Sequence, residues 1–477
     1  MKKCLHKAFF SSACVCMALI FLAGCAGIKP EKRHSPAELA AYKVENFAAP
    51  IASLAGEAAA RTDALEKIRL ALVQPASTNY LRSSDSANAD TKVPDALGAV
   101  ALFNIEQDAG RGLVLAALAD FERDIKQPSI EYQRAVIAAA YMLYPQESAA
   151  SLNRLLEQLQ TPREFAMATY TVLKANNTAD SRMDLRATLV RRFPDWMAEP
   201  RLSALEHVLT TDTLAELAQR PPLVDLLAAR FRKLGPALPV IYSFQRKDRQ
   251  RFGLAMVRGP DGQFVRQADG SYFNIPHLAM ALTNLPGTIT NGNTPQGLFT
   301  IVGAGTATNK WIGPTPYLHS KIPIEATVAE FEHADLIQAP EGWTEARYES
   351  FLPASWRDYK PFKEAFLAGQ AGRDDMLLHG TTINADYYRG TTFYPGTPSA
   401  GCLVAMESWS KADGTLQRSD QLSLAKAFTA SGVDQGYLVV VELDNLPLSV
   451  TLADVMSDVI AAEAVALISR MAQLPKN

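Results

Sequence analysis

Hydrophobic positions recur with two different periods along this chain, and the change from one to the other falls near Pro236. Upstream, Leu152, Leu155, Leu156 and Leu159 follow i, i+3, i+4, i+7 spacing, as do Val136, Ala139, Ala140 and Leu143, and Phe165, Ala168, Thr169 and Val172. Each set is one face of an amphipathic helix. Breaks at Pro145, Thr161-Pro162, Asn176-Asn177 and Pro194 divide the alanine-rich run from about residue 35 to 231 into short helices. Residues 134–141 resemble 163–170 at an offset of 29, which fits stacked helical hairpins of a repeat type. An irregular bundle fits as well. Residues 77–95, with SSDSANAD at their centre, are polar and turn-rich and predict a flexible loop.

Downstream of Pro236, short β-prone runs at 240–244, 253–257, 298–302, 376–378 and 437–443 alternate with Gly, Pro, Asn and Asp turns. They predict a mainly β domain over 236–447, closed by a C-terminal helix within 448–477. The fold class expected is therefore multidomain α+β, an N-terminal all-α helical-hairpin or repeat-like domain over 36–235 preceding the β domain.

The N-terminus adds a location. Lys2, Lys3 and Lys7 precede an apolar stretch from about residue 13 to 23, too short to span a bilayer, which reads as a signal peptide over 1–24. Its end, Leu22-Ala23-Gly24-Cys25, resembles the bacterial lipobox. That resemblance implies cleavage before Cys25 and its acylation, with 25–35 as lipid anchor and linker; multiple acyl chains anchor stably. Ala26, where an Asp would resemble an inner-membrane retention signal, favours an outer-membrane lipoprotein facing the periplasm.

Cysteine usage then isolates one residue. Cys4, Cys14, Cys16 and Cys25 all lie in the first 25 residues, leaving Cys402 without an internal disulfide partner. A solitary thiol in an oxidising compartment is exposed to irreversible oxidation, so a nucleophile explains it better than a small buried hydrophobe does. His379 is the candidate partner that makes the thiolate available at neutral pH.

Three motifs in order carry a family resemblance: Asn293-Thr294-Pro295-Gln296-Gly297-Leu298-Phe299-Thr300-Ile301, then Leu378-His379-Gly380, then Ser399-Ala400-Gly401-Cys402. Residues 236–445 thereby resemble the L,D-transpeptidase catalytic family, also called YkuD. The resemblance implies that the Gly380 carbonyl orients the His379 ring in the place of an acidic third group. Backbone N–H groups of Gly401 and Cys402 are expected oxyanion donors, and Ser399 either assists them or fixes the turn. It also implies attack of Cys402 on the third residue of a peptidoglycan tetrapeptide stem, loss of D-alanine and a thioester. An amine acceptor then gives a 3,3 cross-link or attaches a protein to the wall, while water gives an L,D-carboxypeptidase or endopeptidase. A weakly catalytic peptidoglycan-binding scaffold is the alternative from another class.

Two departures bear on substrate. Ala400 and Val404 stand where the family often has His and an Arg or Asn, and the 19 residues between His379 and Ser399 are a longer spacing than usual. Arg389 is a candidate replacement cation for a stem carboxylate, with Tyr394 beside it in sequence, although a solvated loop arginine reads equally from the pattern. An aromatic-rich insert over 303–375 includes Trp311, Tyr317, Trp343, Tyr348 and Trp356 and predicts a lid or substrate wall, or an insert with its own core; Trp311 is its candidate substrate contact.

Charge and histidine spacing mainly exclude. Forty-seven basic and fifty acidic residues give −3, against a polyanion-binding surface, and no nucleic-acid motif occurs. His277, His319 and His333 lack metal-ligand spacing with Asp, Glu or Cys, so no metal and no cofactor are expected. The partners expected are peptidoglycan stem peptides, the membrane through the lipid, and a periplasmic protein docked on the helical domain, whose blander role is a spacer.

Overall fold

The structure is a computed structural model and describes residues 86–473 apart from 126–127, 234, 308–314, 335–341, 382–384 and 410–415. The signal peptide, Cys25 and its lipobox, the first part of the expected helical domain and Trp311 lie outside the described residues. Among the described residues no helix is long and apolar enough to cross a membrane.

The architecture is mixed helix and sheet, built around an eight-stranded closed barrel. Nine helices precede the first strand among the described residues, from α1 (Ser86–Phe103) and α2 (Gln107–Arg123) to α8 (Thr213–Ala218) and α9 (Leu223–Ala228). The breaks at Pro145, Pro162, Asn176 and Pro194 separate α3 (Ile130–Leu143), α4 (Pro145–Leu155), α5 (Pro162–Ala175) and α6 (Ala179–Arg192). Pro at the first helical position suits α4 and α5 because that N–H has no intrahelical acceptor. α5 lies centrally, against α3, α4 and α7 (Pro200–Thr210), and nearly its whole length is buried. The leucine face at 152, 155, 156 and 159 is buried as its spacing requires.

The loop expected over 77–95 is corrected from Ser86 onward, where α1 is helical with Pro94 inside it. Val93, Ala96 and Leu97 enter the same core as α3, and that packing outweighs weak local propensity.

The barrel order is β1 (Val240–Arg246), β10 (Gly436–Asp444), β4 (Gly297–Thr306), β5 (Pro316–Lys321), β6 (Leu377–Gly380), β7 (Leu403–Ala405), β3 (Ile275–Leu278) and β2 (Gly253–Arg258). β1 with β10 and β6 with β7 are parallel, and the other ladders are antiparallel. Alternate residues of the strands, such as Ile241, Phe299, Leu318, Leu378, Leu403 and Leu438, share one core. The opposite alternates of β1, β2 and β10 join a second, aromatic core with α9 and the C-terminal helix α14 (Met456–Gln473). The Tyr437 to Val441 run is apolar throughout because it is buried on both faces. Helix α13 (Asp420–Thr429) contacts β2, β3, β5, β6 and β7, strands from both arcs, and so closes one end of the barrel.

The insert expected over 303–375 begins later than its bounds, since β4 runs to Thr306 and β5 is a full strand in register with it. Of its described aromatics, Tyr348 and Trp356 are buried in the aromatic core with Tyr242 and Phe244, which fits packing rather than a lid for these two.

The helical layer is not set apart from the barrel. Leu285 and Ile289 of the loop before β4 pack into the helical core, and Ala99, Val100 and Phe103 of α1 pack on Leu278, Met280 and Val404. Arg163 donates to the Thr290 carbonyl at 3.3 Å, tying α5 to that same loop. The helices thus pack against the loop between β3 and β4 and, at Val404, against β7.

Candidate functional site

β6 and β7 bring His379 and Cys402 together. Leu378 pairs with Leu403 and His379 with Val404 in a parallel ladder, so the residue immediately before β7 lies beside β6. Cys402 is not in a disulfide; it is 3% exposed and packed with Ala307, Tyr317 and Leu377. The Leu377 N–H donates to its Sγ at 3.3 Å, and the Asp375 carbonyl lies 3.6 Å from the same sulfur.

His379 Nδ1 is 2.7 Å from the Gly380 carbonyl. A carbonyl only accepts, so Nδ1 carries the proton and Nε2 is the nitrogen left for the thiol. Burial lowers the affinity of this ring for a second proton, but the hydrogen bond to Cys402, the sulfur's charge, the Gly380 carbonyl and Glu407 together raise its pKa above the ordinary value. Cys402 thus contributes most to holding a proton on this buried ring.

Gly380 and Gly401 are glycines for spatial reasons. A Cβ on Gly380 would lie 2.6 Å from Glu407 Cγ, with the carboxyl closer still. Glu407 is buried and accepts from the Thr315 and Ser419 hydroxyls. Gly401 has φ +127°, and a Cβ there would meet the Gly292 carbonyl at 2.9 Å and, nearer, an Arg373 nitrogen.

Ser399 Oγ accepts from the Gly401 N–H at 3.1 Å and donates to the Cys402 carbonyl at 2.8 Å. Of its two readings, turn fixing is the one with geometry behind it. The Gly401 N–H, expected as an oxyanion donor, is directed at Ser399 in this arrangement. Thr294 of the first motif donates to the Gly401 carbonyl at 2.8 Å, joining the motifs in space.

Sequence reasoning missed Arg373. It is 4% exposed and donates to the carbonyls of Gly287, Asn293 and Gly292, the latter two at 2.8 and 3.0 Å. Burial brings its pKa down to about 10, while Glu364 and Cys402 oppose the shift. It remains a cation at neutral pH, close enough to Cys402 for the sulfur to affect it. Its neighbours in sequence, Gly372, Asp374 and Asp375, read as an ordinary polar turn, so no local signal marks it.

Val404 is 2% exposed and packs with Leu278, Phe103 and Phe393. Its apolar character follows from the cover supplied by α1. Arg389 is exposed, paired with Asp386 at 2.9 Å and lying over the Tyr394 ring at 5.3 Å, so these two expected substrate contacts form a cluster with each other.

The histidines divide. His277 Nδ1 meets Ser243 Oγ at 2.9 Å, and His333 Nε2 meets Thr300 Oγ1 and the Gly436 carbonyl at 2.8 and 2.9 Å, all structural bonds. His319 corrects the expectation that no histidine meets acidic ligands, since its ring, a Glu325 oxygen and an Asp375 oxygen lie within 4.8 Å of one another. Burial pushes Glu325 up to about 7 and His319 down to about 4. A cleft of about 830 Å³ lies between the helices and the barrel, lined by Lys174, His207, Arg249 and Glu364, and Cys402 is not on its wall.

Comparison with protein-family models, with curated proteins and with solved structures returned no match for this chain.

Proposed function

We propose that this chain is an exported, lipid-anchored cysteine acyltransferase of the L,D-transpeptidase (YkuD) type that acts on peptidoglycan stem peptides. One observation carries the reading: a cysteine, the histidine it is hydrogen-bonded to and the carbonyl that fixes the histidine's tautomer converge at adjacent strands. The ordered motifs ending in Leu378-His379-Gly380 and Ser399-Ala400-Gly401-Cys402 support the family reading, and through it the substrate class. The proposed protein comprises a helical-hairpin region followed by the catalytic barrel, on the periplasmic face of the outer membrane.

In the proposed reaction Cys402 Sγ attacks the carbonyl carbon of the stem's third residue, forming a C–S bond. His379 delivers a proton to the departing amine as the C–N bond to D-alanine breaks. An amine then attacks the thioester, losing its proton to His379 and restoring the thiol. With a second stem as acceptor the product is a 3,3 cross-link, with a protein amine it is a wall-attached protein, and with water it is a tripeptide. Arg373 holds positive charge near the sulfur, which favours the thiolate.

The enclosure of Cys402, 3% exposed in a cluster with Tyr317, favours a second reading, a peptidoglycan-binding scaffold that leaves its thiol unused. The test is mass spectrometry of disaccharide tetrapeptides incubated with the detergent-purified full-length chain and with Cys402→Ala. Cysteine-dependent loss of D-alanine with a 3,3-linked dimer supports the transpeptidase. Tripeptide alone assigns a hydrolase, and binding without turnover assigns the scaffold.

A further inference from the structure

We propose that His319, Glu325 and Asp375 form a binding site for a divalent transition-metal ion of the Zn²⁺ class, set against the backbone that holds Cys402. This goes beyond the acyl-transfer reading and does not depend on it. β5 presents His319 on the face shared with Tyr317, opposite the one that sends Leu318 into the barrel core. In register across the ladder from His319 is Leu377, whose N–H donates to Cys402 Sγ. The two carboxylates come from separate loops, one leaving β5 and the other leading into β6.

The donor atoms lie within 4.8 Å of one another. Ligands at about 2.0–2.2 Å from a tetrahedral ion sit about 3.4 Å apart. Small side-chain rotations close that gap. The observation that points to a ligand is His319 itself: the residue is 5% exposed, and neither ring nitrogen has a hydrogen-bond partner. Leaving both nitrogens of a buried imidazole unsatisfied is unfavourable, because the ring has lost its hydrogen bonds to water and gained none in return. A metal ion beside the two carboxylates satisfies one nitrogen and neutralises buried charge.

Glu325 has a structural duty as well. Its Oε1 accepts from the Asp375 N–H at 2.9 Å and its Oε2 from the Ile322 N–H at 3.1 Å. Each carboxylate oxygen has a second lone pair, so these bonds leave it able to ligate, and they fix its orientation as second-shell bonds fix ligands elsewhere. One imidazole and two carboxylates suit Zn²⁺, Co²⁺ or Mn²⁺ and disfavour Ca²⁺, which takes more oxygen donors. Asp375 has φ +53°, and its carbonyl lies 3.6 Å from Cys402 Sγ. A bound ion would pin this left-handed residue and, through residues 375–377, the floor under the sulfur. That makes the three ligands positioning residues for Cys402.

The test is titration of the detergent-purified, metal-stripped full-length chain with Zn²⁺ by calorimetry, and with Co²⁺ by its electronic spectrum, in wild type, Cys402→Ala, His319→Asn and Asp375→Asn. One equivalent bound in both wild type and Cys402→Ala, weakened by about tenfold or more in His319→Asn and Asp375→Asn, supports the site. The Co²⁺ spectrum should lack thiolate charge-transfer bands. No binding by folded wild type overturns the proposal, as does binding that vanishes in Cys402→Ala, which would make the thiol the ligand. If the His319 and Asp375 variants do not fold, Cys402→Ala decides: binding with no thiolate band supports the site, and no binding overturns it. A failure of acyl transfer leaves these readings untouched.

Discussion

Replacing Gly401 by alanine strains the chain at a position where the Gly292 carbonyl and the Arg373 guanidinium close in beside Cys402. The residue has φ +127°, a conformation that side-chain-bearing residues adopt at a cost of about 1–3 kcal/mol. The new methyl also faces the Gly292 carbonyl at 2.9 Å and an Arg373 nitrogen closer still. Arg373 cannot swing away without cost, because its guanidinium is buried and bonded to the carbonyls of Gly287, Gly292 and Asn293. Losing one such charged hydrogen bond costs about 1.5–3 kcal/mol. The expected destabilisation is therefore about 3–5 kcal/mol, a large share of the roughly 5–15 kcal/mol that holds a domain folded. Urea unfolding followed by tryptophan fluorescence measures it, since Trp356 is buried in the barrel's aromatic core. Thiol labelling of Cys402 under native conditions should change in rate in the same variant. A loss below about 1 kcal/mol with unaltered labelling would refute the packing argument around Gly401.

Three further predictions address neighbouring groups. Val404→Asn buries an amide among Leu278, Phe103 and Phe393 and should cost about 2–3 kcal/mol in urea unfolding; a neutral effect would mean that α1 does not cover this strand. Ser399→Ala removes the acceptor for the Gly401 N–H and the donor to the Cys402 carbonyl, for about 1–2 kcal/mol, and should alter the rate of Cys402 labelling; unchanged stability and labelling would argue against the turn-fixing role. In Cys402→Ala, His379 loses the hydrogen bond and charge that raise its pKa, so its ring should titrate lower than in wild type by NMR. A raised histidine pKa contributes stability that is present below the unfolded value of about 6.5 and lost as pH rises through the native value. The stability gap between wild type and Cys402→Ala should then be widest at low pH, and a gap that widens as pH rises would contradict it.

The parts legible in the sequence were those with a local signal. The runs at 240–244, 298–302 and 437–443 are rich in β-branched and aromatic residues, and these and the apolar run at 253–257 all became strands. β3 contains a proline, and β7 is three residues long, too short for a period-two pattern to register. The Cys402 and His379 pairing was legible because their short motifs contain the chemistry itself. Arg373 was not, because its acceptors lie 80 or more residues away and only the barrel unites them. Val404 had the same difficulty, its apolar character answering to α1 far upstream. The His319 cluster likewise draws Asp375 from 50 residues beyond Glu325, a distance that spacing rules for metal ligands do not reach.

The central claim is that Cys402, with His379, attacks an acyl carbon in a peptidoglycan stem. It is tested most directly by intact-protein mass spectrometry of the detergent-purified full-length chain, acid-quenched during reaction with a disaccharide tetrapeptide. The account predicts a covalent adduct with the mass of the disaccharide tripeptide acyl group, mapped to Cys402, absent in Cys402→Ala and diminished in His379→Ala. Release of D-alanine that continues in Cys402→Ala, or an adduct mapped to another residue, would contradict it.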